Sequence, residues 1–168
     1  AESYFRIAVE TLTERNPNPY DGEPYYNLGW SCMMQQKWDE AYDAFFKSAW
    51  NAAWQDAAYY ALAQLDTRKG KYESALDKID RSLIRNWHNH KARQLKTSIL
   101  RKLGRKEEAL ALVAESLQID RFNMGCRIDH YLVARDVKVL EEMIELMRGG
   151  ARGCVDCMRK LYLYWNAM

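Results

Sequence analysis

The sequence contains few residues that interrupt helices and few that could cross-link a fold covalently. It has three prolines in 168 residues, all near the start: Pro17, Pro19 and Pro24. The rest of the chain therefore has no proline that would end a helix. It has four cysteines: Cys32, Cys126, Cys154 and Cys157. These are too few for a disulfide scaffold in a chain that is 48% hydrophobic, so we expect reduced thiols and a cytoplasmic protein.

Long apolar runs and known catalytic motifs are also missing from the sequence. No apolar stretch approaches the roughly 18–20 residues that a membrane-spanning helix needs, so we expect no membrane association. The sequence contains no phosphate-binding glycine loop, nucleophile elbow or H-E-x-x-H motif. We therefore predict a protein without catalytic residues or cofactors, which is not an enzyme.

One cysteine pair and one histidine pair are the only candidates for a metal site. Cys154 and Cys157 form a C-x-x-C motif, but zinc needs four ligands, and only Cys126 or His130 could add one through the tertiary fold. His88 and His90 flank Asn89 in a linker, where histidines are usually solvated. We predict no metal site.

A 34-residue period dominates what the sequence does contain. Ala41, Ala75 and Ala109 stand 34 residues apart, each inside a similar segment: WDEAYDAFFKSA (38–49), YESALDKIDRSL (72–83) and KEEALALVAESL (106–117). Each segment carries apolar residues at i, i+1, i+4 and i+8, which predicts an amphipathic helix. Gly70 and Gly104 precede two of these helices and indicate turns. A period of this length is typical of stacked helical hairpins.

These residues resemble the tetratricopeptide repeat (TPR) family. Tyr25, Leu28 and Gly29, followed by Ala41 and Phe45, occupy the signature positions of a first repeat. The resemblance implies an all-α, right-handed α-solenoid of antiparallel helix pairs. We predict a single TPR-like domain over 1–168. It consists of the second helix of a preceding repeat (1–21), repeats at 22–55, 56–89 and 90–123, a degenerate repeat (124–149) and a terminal helix (150–168). Pro19 matches the proline that closes a preceding repeat, so the chain resembles a fragment of a longer protein.

The third repeat departs from the family pattern. Its first helix has Arg93 and Lys96 where the family has apolar residues. An apolar stripe of its own runs through Ala92, Leu95, Ile99 and Leu103. We therefore predict that this helix is rotated relative to the other first helices.

The resemblance implies a peptide-binding groove on the concave side, lined by the first helix of each repeat. The residues at the groove positions are Tyr26, Asn27, Trp30, Met33, Met34, Tyr60, Gln64, Arg68, Lys91, Gln94, Arg101 and Lys102. Repeats that clamp the terminal carboxylate of chaperones need basic and amide residues at five positions. Here those positions hold Tyr26, Trp30, Ala61, Lys91 and Leu95, of which only Lys91 fits, so this is not such a clamp.

Charge is distributed unevenly along the repeats. Residues 1–60 carry four basic and nine acidic side chains, whereas residues 78–106 carry ten basic and one acidic. One interpretation is solvated helix faces; the other is a basic surface that meets an acidic partner. With aromatic and Met residues in the first repeat, the second interpretation predicts a protein or peptide partner that is acidic and has an apolar anchor. RNA is disfavoured because no base-reading side chains recur.

Two functions remain open at this stage. The first is a non-catalytic interaction or scaffolding module that uses the groove. The second is a structural tail that packs on, or dimerises, other domains of its own chain. NPNPYDGEPYYNLG and AWQDAAYYALA are similar to the repeat tail of large bacterial proteins with a mutarotase-like β-sandwich. That similarity implies a carbohydrate-related setting and leaves the ligand of the tail unspecified.

Overall fold

The computed structural model describes residues 1–17 and 20–149, apart from the side chains of residues 147–149, and this part of the chain forms helices and turns without any strand. Pro19, the predicted terminal helix and its Cys154 and Cys157 lie outside the described residues. No described helix is long and apolar enough to cross a membrane.

The described helices follow one another through short turns. They are α1 (Glu2–Thr13), α2 (Glu23–Met34), α3 (Trp38–Ser48), α4 (Gln55–Arg68), α5 (Tyr72–Arg85), α6 (His90–Lys102), α7 (Lys106–Ile119), α8 (Met124–Ala134) and α9 (Val137–Gly149), with a 3₁₀ turn over Ala52–Trp54. The helices α3, α5 and α7 begin 34 residues apart. Turns of two or three residues join α2 to α3, α4 to α5, α6 to α7 and α8 to α9. Such short connections make each pair an antiparallel hairpin.

The chain divides into two compact units, Ala1–Ala92 and Arg93–Met168. In the first unit α2 packs on α3, α4 packs on α5, α1 packs on α2, and α3 packs on α4. In the described part of the second unit α7 packs on α8 and α8 packs on α9. These helices therefore contact their neighbours in sequence within each unit, which is the packing expected of a repeat protein.

Small residues set the distance between paired helices. Ala41, Ala75 and Ala109 are completely buried. On the facing helix of the first hairpin, a Cβ added to Gly29 would lie 2.7 Å from the Phe45 ring. Ordinary contacts between carbon atoms need about 3.5–4.0 Å, so α2 and α3 can approach this closely only without a side chain at position 29.

The first helix of the third repeat buries only half of the predicted stripe, Ala92 and Ile99, and it also buries residues outside the stripe. Arg93 and Thr97 are completely buried, whereas Leu95 and Leu103 are only half-buried. Burial of Arg93 is tolerated because its Nε donates to Ser116 Oγ at 2.8 Å and its guanidinium pairs with Glu115 at 3.0 Å. The predicted rotation of α6 is therefore wrong. Thr97 occupies the buried position that Gly29 and Ala63 hold in the earlier repeats.

The turns predicted at Gly70 and Gly104 each contain a residue in left-handed backbone. Gly70 and Gly104 have φ of 71° and 75°, and Gln36 takes the same place in the first repeat with φ of 61°. Left-handed backbone costs a residue with a Cβ roughly 1–2 kcal/mol. A Cβ on Gly70 would meet no atom within 4 Å, so the requirement at this turn comes from the backbone alone.

We expect Gly70→Ala to lower the free energy of unfolding by about 1 kcal/mol, because alanine would be forced into left-handed backbone. The matched control is Gln36→Ala. It places alanine in the same turn position, where glutamine already carries the strain, and should change stability by less than about 0.5 kcal/mol. Urea denaturation measures both. Equal losses in the two variants would contradict the explanation.

Candidate functional site

Two predicted groove residues of the first repeat, Tyr26 and Trp30, belong to an aromatic cluster. Its members, Tyr26, Trp30, Phe45 and Trp54, are called the aromatic cluster below. The ring of Tyr26 lies edge-on to Phe45 at 5.6 Å and to Trp30 at 6.3 Å, and at 4.9 Å from Trp54. Trp30 also meets Phe45 edge-on at 5.8 Å. Because Tyr26 and Trp30 are one helical turn apart and half-buried, they present one fixed apolar surface on α2.

Three other predicted residues of α2 differ in how far they reach solvent. Asn27 is half-buried. Met33 is half-buried and packs against the buried core of the first two hairpins. The side chain of Met34 is 74% exposed. Met34 therefore supplies flexible apolar surface at the end of α2.

The second repeat contributes a polar pair and a cation. Gln64 Nε2 donates to Tyr60 Oη at 3.2 Å, and Gln64 Oε1 is buried with no hydrogen-bond partner among the described residues. Burial raises the pKa of Tyr60, which keeps its hydroxyl protonated. The exposed Arg68 lies over the Trp38 ring at 4.1 Å. This cation–π contact holds the guanidinium in place.

The predicted groove residues of α6 have different environments. Lys91, in the first unit, and Lys102, in the second, are exposed. Gln94 packs directly on Gly125 of α8, where an added Cβ would come within 2.2 Å of its side chain. Arg101 lies 3.4 Å from the fully buried Asp129. Arg101 is thus committed to an internal ion pair, whereas Lys91 and Lys102 face solvent.

The basic stretch at 78–106 is less basic in the fold than in the sequence. At least five of its ten cations pair with acids that lie outside the stretch: Lys78 with Asp66, Arg81 with Asp77, Arg93 with Glu115, Arg101 with Asp129 and Arg105 with Glu108. A charge sum over a sequence window omits these partners. The structure therefore leaves a smaller positive surface than the composition indicated.

Sequence reasoning missed two buried acids that organise these pairs. Asp66 accepts hydrogen bonds from Ser74 Oγ at 2.7 Å and Lys78 Nζ at 2.5 Å. Burial opposes the charge on Lys78, but its pKa is still raised, through the hydrogen bond to Asp66. Asp129 accepts from Ser98 Oγ at 2.8 Å. Both acids lie within helices, and no motif surrounds either of them. A single sequence therefore did not indicate that they are buried.

Three potential metal ligands lie close together near the N-terminus of α1. Oxygens of Glu2 and Glu40 and the sulfur of Cys32 lie within 4.8 Å of one another. Both carboxylates already pair with Arg6, and Glu2 also accepts from Lys37 at 2.8 Å. Burial raises the pKa of Cys32 and favours the neutral thiol. Two protein cations thus already pair with the carboxylates of this group.

Comparison with known proteins identifies the fold. No protein-family model matches the sequence, and no curated protein sequence does. A solved structure of a tetratricopeptide repeat protein from Parabacteroides merdae matches with a TM-score of 0.70. The two sequences are 22% identical, and the match covers 88% of this chain and 56% of that chain. The chain has a TPR fold.

Two further TPR structures are similar over most of their own length. YrrB, a TPR protein with an unusual peptide-binding site, gives a TM-score of 0.68 with 19% identity over 94% of this chain and 79% of that one. The first TPR of Spaghetti (RPAP3), bound to the HSP90 peptide SRMEEVD, gives a TM-score of 0.63 with 18% identity. This match covers 68% of this chain and 94% of that chain. These matches confirm the predicted fold class, an α-solenoid of antiparallel helix pairs.

The ion pairs of Glu2 should make the stability of the first unit depend on pH. Hydrogen bonds from Lys37 and then Arg6 lower the pKa of Glu2 from its ordinary value of 4.5 to about 2. A carboxylate with a depressed pKa stabilises the fold fully above pH 4.5, and this contribution is lost as the pH falls towards 2. We therefore expect a higher Tm for the native chain than for Glu2→Gln at pH 7. The difference should shrink below pH 4.5, and a constant difference from pH 7 to pH 2 would argue against these pairs.

Proposed function

We propose that this chain is a non-catalytic protein-interaction module that binds an extended peptide along the first helices of its repeats. The observation that carries the proposal is the aromatic cluster, which offers a fixed and partly exposed apolar surface at groove positions of α2. Among proteins of similar fold, YrrB has a peptide-binding site and Spaghetti is bound to a peptide. The same use of this fold is our hypothesis for the present chain.

The aromatic cluster is suited to anchor an apolar side chain. Phe45 and Trp54 pack against Tyr26, so its ring loses little freedom when a ligand binds. Trp30 extends this surface by one turn, and the exposed Met34 continues it. Rigid aromatic side chains of this kind are the usual hot spots of interfaces. A flexible methionine beside them can adapt to anchors of different shape.

Exposed cations at the predicted groove positions of the later repeats favour a partner with acidic residues. Arg68 is fixed over Trp38, and Lys91 and Lys102 face solvent. Arg101 contributes less than its place in the sequence suggested, because Asp129 already neutralises it. Steering by such exposed charges raises association rates and is weakened by salt, with a screening length of about 10 Å at 0.1 M.

The proposal can be tested with a peptide selected from a random 12-residue display library on the native chain. Trp30→Ala should weaken its binding about 30-fold, mainly through faster dissociation, because a buried anchor would be lost. Met34→Ala should weaken binding a few-fold. Trp87→Ala removes a half-exposed tryptophan outside the predicted groove and serves as the matched control, and thermal melting of each variant checks that it is folded.

Two outcomes of that experiment would contradict the groove. One is a selected peptide whose affinity is unchanged in both Trp30→Ala and Met34→Ala. The other is equal loss in Trp87→Ala. Arg68→Gln and Lys102→Gln test the electrostatic contribution to binding separately. Each should slow the association of the peptide and reduce the dependence of the association rate on salt.

The rival function, a structural tail or dimerisation element, is supported by one observation. Helix α1 has no buried residue, and the side chains of Tyr4 and Ile7 on it are 76% and 58% exposed. An apolar face of this kind suits contact with another domain or a second copy. The similarity to bacterial proteins with a mutarotase-like region belongs to this alternative. The parent reading frame would decide it, since the alternative requires such a domain in the same protein.

Light scattering separates the two functions in solution. The interaction-module proposal predicts a monomer across the micromolar range, because its groove must remain open. A concentration-dependent dimer that Tyr4→Ser and Ile7→Ser abolish would support the alternative instead. Ile84→Ser provides the control, since Ile84 is an equally exposed apolar side chain on α5.

A further inference from the structure

A cleft lies in the first unit, between the turn that precedes α2 and the end of α3. Its volume is about 300 Å³, and its lining includes Tyr20, Gly22, Tyr25, Lys47, Trp50 and Asn51. This is the small end of the range for ligand pockets, about 300–1,000 Å³, and suits one or two ring-sized groups. None of these residues belongs to the predicted groove.

The wall formed by the turn is held in place. Asn51 Nδ2 donates to the carbonyl oxygen of Tyr20, and Asn51 Oδ1 accepts from the backbone N–H of Ala53 at 2.9 Å. Gly22 lies so close to α3 that a Cβ there would be 2.8 Å from the Ser48 carbonyl oxygen. These contacts hold the backbone of this wall in a fixed position against the end of α3.

Aromatic rings form the mouth and the floor of the cleft. The side chains of Tyr20 and Trp50 are 95% and 57% exposed, and the edge of Phe46 supports Trp50 at 6.3 Å. Tyr25 is buried below them. Exposed rings with so little packed on them are available for stacking on a flat apolar group.

The cleft offers several hydrogen-bond donors. Tyr20 and Tyr25 carry hydroxyls, Trp50 carries an indole N–H, and the ammonium of Lys47 lies 5.4 Å from the centre of the Tyr25 ring. Within residues 1–17 and 20–149, no side-chain hydrogen bond is formed by Tyr20, Tyr25 or Trp50. The acceptor Asn51 Oδ1 is already used, and so is one oxygen of Asp21, which accepts from the N–H of Glu23 at 2.9 Å.

We infer that this cleft binds a proline-rich segment in the polyproline II conformation. Each proline has a carbonyl acceptor and no N–H donor, so it can accept from the hydroxyls and the indole N–H of the cleft without bringing a donor that needs a partner. Proline rings can stack on Tyr20 and Trp50, and grooves lined with aromatic residues are the usual receptors for such segments. The segment is already extended before binding, so it loses little entropy.

This site is separate from the proposed groove and goes beyond the proposed function. Tyr25 and Tyr26 are consecutive residues of α2, so their side chains leave the helix about 100° apart. Tyr25 lines the cleft, whereas Tyr26 belongs to the aromatic cluster. The two surfaces can therefore be tested with different variants of the same chain.

The test uses a fluorescent decaproline peptide, with a Gly-Ser peptide of the same length as control, followed by anisotropy. The native chain should bind decaproline and leave the Gly-Ser peptide unbound. Trp50→Ala and Tyr20→Ala should each reduce the affinity about tenfold or more, since each removes a stacking ring. Tyr25→Phe should reduce it a few-fold by removing one donor. Trp87→Ala and Trp30→Ala should leave the affinity unchanged.

The inference is overturned if the native chain fails to bind decaproline, or binds the Gly-Ser peptide equally well. It is also overturned if Trp30→Ala weakens binding while Trp50→Ala and Tyr20→Ala do not, because the peptide would then lie in the groove. Tyr20 is almost fully exposed, so Tyr20→Ala tests the cleft even if Trp50→Ala fails to fold. The peptide-display result for Trp30 is independent of this outcome.

Discussion

The close approach of the two helices in each hairpin is the constraint on which the other features depend. In the first hairpin, α2 can meet α3 only because position 29 has no side chain and the Phe45 ring fills the space instead. The same ring supports Tyr26 and Trp30 from below. The contact that closes the hairpin is thus also the contact that shapes the candidate binding surface.

Polar pairs replace apolar packing at several points of this repeat architecture. Asp66 with Lys78, and Asp129 with Arg101, place charges in protected positions where each is balanced by its partner. Removing one member of such a pair typically costs far more than the pair contributes, since an uncompensated charge remains buried. These pairs also consume cations that would otherwise be free to meet a ligand. The available positive charge is consequently confined to a few exposed side chains.

The aromatic residues divide into separate surfaces on one short helix. Tyr26 and Trp30 belong to the aromatic cluster, whereas Tyr25 is the floor of a cleft on another side of α2. In the sequence these residues differ little, because aromatic side chains suit a repeat core and an interface equally well. The tertiary structure separates them. Phe45 and Trp54 pack against Tyr26, whereas Tyr25 and Trp50 line the cleft.

The sequence by itself determined the fold class, the helical hairpins and the turns at Gly70 and Gly104. These features depend on local preferences repeated every 34 residues, such as the alanine of each second helix and Gly70. The tertiary structure decided the burial of Arg93, the neutralisation of Arg101 and the cleft beside Trp50. Each of these depends on partners far away in sequence, Ser116, Asp129 and Tyr20 respectively. Burial and ion pairing are set by what packs around a side chain in three dimensions, and a residue pattern along one helix does not contain that information.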